Sequence, residues 1–60
     1  MFEIIRYIDQ LGVGVWSVVA EASSKEEAEF ARDFFEANWP WEDTGVEGRI
    51  HYSYEVRRAS

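Results

Sequence analysis

The chain has 60 residues, no cysteine, one proline and a net charge of −6, with 47% apolar, 30% charged and ten aromatic residues. One small domain fits that length, and the aromatic content excludes a disordered chain. No disulfide frame or thiolate metal site is possible, and no apolar run approaches the ~18 residues of a membrane span.

Phe2 to Ile8 (FEIIRYI) reads as a strand. Asp9-Gln10-Leu11-Gly12 supplies turn residues, and Val13 to Ala22 (VGVWSVVAEA) reads as a second strand, closing a hairpin. An odd loop would put Phe2, Ile4, Ile8, Trp16, Val18 and Ala20 on one face. Ile5, Tyr7, Val13, Val15 and Val19 would then share the other. An even loop reshuffles the sets, yet both faces stay largely apolar. One helix covers one face, so the set Ile5, Tyr7, Val13, Val15 and Val19 is expected to form a homodimer contact.

Ser24 with Glu27 and Ser23 with Glu26 both fit a capping box, the first being preferred because it accounts for Glu27 inside an apolar arc. The predicted helix stops near Asn38, because Trp39 precedes Pro40. At 100° per residue, Ala28, Phe30, Ala31, Phe34, Phe35 and Ala37 fall on one half. Phe34 and Phe35 are expected to face the sheet, opposite Tyr52, Tyr54 and Trp16. Glu26, Glu29, Asp33 and Glu36 form a stripe on the other half, beside Lys25 and Arg32. Pairs Lys25–Glu29 and Arg32–Glu36 would trim that stripe.

Trp39 to Gly48 (WPWEDTGVEG) reads as a loop, with its two indoles capping the open end of the core or one of them projecting as an interface anchor. Arg49 to Arg57 alternates as a last strand: Ile50, Tyr52, Tyr54 and Val56 point one way, Arg49, His51, Ser53, Glu55 and Arg57 the other. The expected fold is α+β, with element order ββαβ. A three-stranded antiparallel sheet, its first strand central, carries one helix on one face.

Charge is uneven along the chain. Residues 21 to 47 carry net −7 and the remainder net +1. Catalytic chemistry lacks a constellation. His51 stands alone, no serine has an evident base beside it, and Gly12 and Gly14 belong to no phosphate-binding loop. Glu42, Asp43 and Glu47 lack the spacing of a calcium loop. No cofactor or metal is expected, and the expectation is not an enzyme. Direct nucleic-acid binding is disfavoured by a pI near 4.5. The absence of cysteine and of a leader pattern at Met1 to Arg6 points to a cytoplasmic protein with no membrane partner.

The run Trp16 to Phe30 (WSVVAEASSKEEAEF), followed by a helix, a loop and a last strand ending Tyr54-Glu55-Val56-Arg57-Arg58, resembles the small host-takeover proteins of phages. In particular it is similar to the T7-type inhibitors of bacterial RNA polymerase. The resemblance covers about half the chain, and the longer Trp-Pro-Trp loop departs from it. It implies an acidic inhibitor that grips a larger host or defence complex, as polymerase inhibitors, anti-CRISPR and anti-restriction proteins do. The matching positions are the acids from Glu26 to Glu36 together with Arg57 and Arg58. Glu42, Asp43 and Trp41 extend this expected surface past the helix, toward a basic groove on the partner. Two other functions stay open: an accessory homodimer using the open sheet face, and an oligomeric sponge holding a nucleotide between subunits with Trp and Arg.

Overall fold

Two long strands dominate the architecture. In a computed structural model, β1 (Phe2–Gln10) and β2 (Val13–Ala22) pair antiparallel, with Gln10 opposite Val13. α1 (Lys25–Asn38) follows, then β3 (Trp41–Asp43) and β4 (Arg49–Arg58). The structure describes residues 1–10, 13–43, 45 and 48–59, with backbone alone for Asp9, Gln10 and Val13. Of the expected turn residues Asp9 to Gly12, Asp9 and Gln10 extend β1, while Leu11 and Gly12 lie outside the described residues, as do the acid Glu47 and the Val13 side chain.

The fold is α+β, but among the described residues the sheet has four strands, in the order β2-β1-β4-β3. β1 is flanked by β2 and β4, both antiparallel, as its apolar run suggests. The additional strand is the short β3, whose Trp41, Glu42 and Asp43 pair with His51, Ile50 and Arg49. It turns part of the expected loop into a sheet edge. Gly45 and Gly48, with φ of 81° and 95°, take backbone angles on the β3–β4 connection that favour glycine.

A bulge in β2 rearranges the hairpin faces. Ile4 pairs with Ala20 but Ile5 with Val18, so Val19 is the extra residue. Beyond the bulge the pairs are Tyr7 with Trp16 and Ile8 with Val15. Period-two alternation then puts Ile4, Arg6, Ile8, Val15, Tyr52 and Tyr54 on the helix side. Ile5, Tyr7, Trp16 and Val18 lie on the other. The expected contact set is therefore divided: Ile5 and Tyr7 remain on the open face, Val15 is on the helix side, and Val19 packs in the core.

Ser24 caps the helix, its Oγ accepting from the Glu27 amide at 3.2 Å. The Glu27 carboxylate does not return to the cap amide; it accepts from Ser23 Oγ at 3.0 Å, so the capping box is half made. Ala28 is buried and Ala31 and Phe35 are partly buried, a line at i, i+3 and i+7. Small residues at two of those positions let the helix settle closely on Ile4 and Tyr54. This corrects the expected helix face. Phe35 stacks on Tyr54, rings 5.5 Å apart and 21° from parallel, whereas Phe34 is 51% exposed and Phe30 76%. Trp16 faces away from the helix altogether.

The core is thin. Among the described residues the buried hydrophobic side chains are Ile4, Ile5, Ala28 and Tyr54. The chain exposes 4515 Å², against about 4,000 Å² for a compact monomer of this mass. A ten-residue strand runs about 33 Å and the fourteen-residue helix about 21 Å, so the sheet outruns its cover. The functional surfaces begin where the helix ends.

Candidate binding groove at the helix end

Beyond the last turn of α1 the sheet forms the floor of an open groove of about 420 Å³, lined by Arg6, Phe35, Trp39, Trp41, Glu42, Tyr52 and Tyr54. The chain leaves the helix through Trp39, whose amide donates to Phe35 O at 2.7 Å. The Trp39 carbonyl accepts from Tyr54 Oη at 2.8 Å, and the Pro40 carbonyl accepts from the Tyr52 amide at 3.0 Å. These two bonds tie the Trp-Pro-Trp segment to β4. The Trp39 ring lies 5.8 Å from Phe34 and 5.6 Å from Phe35, and half of it stays exposed. The segment therefore both caps the core and projects.

Glu42 and Arg6 give the groove its polarity. Tyr52 Oη donates to the Glu42 carboxylate. The Arg6 guanidinium sits 4.6 Å from the centre of the Tyr52 ring. Its Nε is buried and has no hydrogen-bond partner among the described residues.

Both phenols resist ionisation. The bond to Glu42 raises the Tyr52 pKa above 10.0, with burial and the Glu42 charge adding to it against Arg6. Burial raises Tyr54, and Arg6 again opposes. A raised acid pKa means that the folded chain keeps protons the unfolded chain releases. Stability from these groups is intact below the unfolded value of 10.0 and falls as pH rises from there through the folded values. Urea unfolding between pH ~9 and ~11 is expected to show that decline. It should be shallower in Tyr52→Phe, which has no proton to lose.

The other expected site residues are dispersed. Glu26 and Glu36 are exposed on α1. Glu29 lies 4.0 Å from Lys25, whereas Arg32 pairs with Asp33 at 3.1 Å and not with Glu36. Asp43 accepts from the Gly45 amide at 3.0 Å. Trp41 stacks against Arg49, 4.3 Å from guanidinium to ring centre.

Arg57 and Arg58 are remote from the groove. Arg58 stands six positions along β4 from Tyr52, about 20 Å. Arg57 binds Glu3 at 2.9 Å and lies 5.0 Å from the Trp16 ring centre, on the face without a helix. The structure thus groups Glu42 and Trp41 with residues that the sequence reading did not assign to a site: Arg6, Phe35, Trp39, Tyr52 and Tyr54. Their signal was the aromatic density at Trp39-Pro40-Trp41 and Tyr52-Ser53-Tyr54, with an arginine interrupting the apolar run of β1.

Among the described residues no cluster of His, Asp and Glu is suited to a metal ion, and no helix is long and apolar enough to cross a membrane. No protein-family model, curated protein or solved structure matches the chain.

Proposed function

We propose that this chain is a non-enzymatic binding protein whose working surface is the outer side of α1 together with the groove at its end. The observation that carries this reading is a row of large aromatics left in solvent beside acids. Phe30, Phe34 and Trp39 are exposed on α1 and its C-cap, with Glu26, Asp33 and Glu36 exposed on the same helix. A chain with so little core gains by burying such rings, and they are left outside. Aromatic side chains in that position serve as interface anchors. The acids around them favour a partner whose surface is basic at the rim and apolar at the centre. A basic groove on a nucleic-acid-handling complex has that character, and occupying it would inhibit the complex.

The test uses the immobilised chain against a lysate, then titration of the purified partner. Changing Glu29 and Asp33 together to lysine is expected to slow association sharply and flatten its salt dependence. Stability should stay within about 0.5 kcal/mol per site, since Asp33 is exposed, Glu29 is about half exposed, and each takes part only in a surface ion pair. Trp39→Ala should raise the dissociation rate. Equal retrieval by wild type and both variants would remove the helix side and the groove as the working surface.

A nucleotide-binding reading has one observation in its favour, the unpartnered Arg6 Nε among aromatic rings. Quenching of the indole emission by a mononucleotide, lost in Arg6→Met, would support it over a protein partner.

A further inference from the structure

We propose that the chain self-associates through the outer edge of β2, two copies pairing antiparallel about a twofold axis to give one continuous sheet. The strand order makes β2 an edge, and among the described residues no strand lies beyond it. The two edges of the sheet differ in kind. β3 is three residues long and carries Glu42 and Asp43. Shortness and charge are the usual devices that stop an edge from recruiting another strand.

β2 has neither device. It is ten residues long, and from Val13 to Ala20 it contains no charged residue and no proline. Its bulge falls at Val19, which leaves a regular run from Val13 to Val18. Alternate residues of that run turn their backbone N–H and C=O groups away from β1, and a second strand satisfies them.

A second copy is the occupant that the strand itself favours. The run is apolar on both faces, with Val15 55%, Trp16 53% and Val18 40% exposed, so a copy of itself matches it on both sides. Self-pairing places Trp16 and Val18 of both chains on one surface, next to Tyr7, and Val15 of both chains on the other. The run that would pair, Val13 to Val18, carries none of the chain's twelve acids, whose largest group stands on α1. The acidic β3 edge lies three strand spacings away, about 14 Å, beyond a physiological Debye length of about 8 Å. The chain's surplus of exposed surface is also what a subunit shows before its partner is added. This inference does not depend on the binding surface proposed above, which lies at α1 and the opposite edge.

The test is sedimentation of the whole chain from about 1 μM to about 1 mM, beside Val15→Lys/Ser17→Lys. Both positions are exposed, so the fold is expected to hold, which circular dichroism checks. Wild type is expected to form a dimer, twice 7.0 kDa. The double variant should weaken dimerisation roughly a hundredfold, since it sets lysines of the two copies side by side. Lysines lower the net charge of an acidic chain, so weaker association must be a local effect at the edge. Hydrogen exchange gives a second readout without any variant: alternate amides between Gly14 and Val18 should be slower in concentrated than in dilute wild type. A monomer at about 1 mM overturns the proposal and leaves the edge to a strand from another protein. A dimer that the lysines do not weaken, or that leaves those amides unprotected, overturns it too.

Discussion

Phe35→Ala is expected to cost about 3–4 kcal/mol, and Phe34→Ala about 1 kcal/mol or less, by urea unfolding. The two neighbours are chemically identical, and only the rotation of the helix separates them. Phe35 stacks with an offset on Tyr54, 5.5 Å between ring centres, and packs against the buried cluster of Ile4, Ala28 and Tyr54. Removing it leaves a gap beneath the helix end and loses a ring pair worth about 0.5–1.5 kcal/mol. Phe34 meets Phe35 and Trp39 edge-on at 6.2 and 5.8 Å while half its surface stays in water. At about 0.05–0.15 kcal/mol per residue, a domain of this length has roughly 3–9 kcal/mol in total. Phe35→Ala alone therefore brings it close to unfolding. Equal costs, or a larger cost at Phe34, would mean that the helix is rotated from the orientation described.

That contrast also shows which parts of the molecule are legible in the residues. The elements are, because each carries a local signal. Ser24 starts the helix, Pro40 follows its end, and alternation marks β4 from Arg49 onward. The facing of the helix is harder to read. Six apolar residues between Ala28 and Ala37 spread over about half its circumference. A hydrophobic count favours the bulky phenylalanines, whereas close approach to the sheet favours the alanines, and Ala28 and Ala31 win. The hairpin faces are obscured for a different reason. No glycine or proline stands beside the bulge at Val19, in the stretch Ser17 to Ala22, and one extra residue exchanges every face assignment beyond it. β3 is too short, and too acidic, for any periodicity. The groove inherits the first and the last of these difficulties, since its wall comes from the helix end and its rim from β3, over a floor of β1 and β4.

The Trp-Pro-Trp segment links the two surfaces of the molecule. One indole closes the core against Phe35, and the next begins the short edge strand. Sequence proximity of the two tryptophans thus reflects a change of role between adjacent elements. The acids Glu42 and Asp43 do likewise: Glu42 turns into the groove to meet Tyr52, and Asp43 stays at the edge to close a turn on Gly45.

The second large effect is expected on the face that the helix does not cover. Ile5→Ala should cost about 2–4 kcal/mol, although an isoleucine on an open sheet face would ordinarily be worth far less. Ile5 is 1% exposed. Its cover comes from side chains of the flanking strands. Arg57 on β4 reaches Glu3 at 2.9 Å and the Trp16 ring on β2 at 5.0 Å. β1 lies between those strands, so the Arg57–Trp16 contact crosses over it, near Ile5. The aliphatic stem of Arg57 and the indole then serve as apolar cover while the guanidinium keeps its carboxylate and its access to water. Arg57→Ala should accordingly destabilise by about 1 kcal/mol through lost packing, more than an exposed ion pair alone supplies. The two variants should couple, because with Ile5 truncated there is less for Arg57 to cover. A double-mutant cycle is expected to give an interaction energy above about 0.5 kcal/mol. Strict additivity would mean that Arg57 does not cover Ile5. Coupling would instead give Arg57 a structural duty, since a side chain engaged with Glu3 and Trp16 must release both before it can grip a partner.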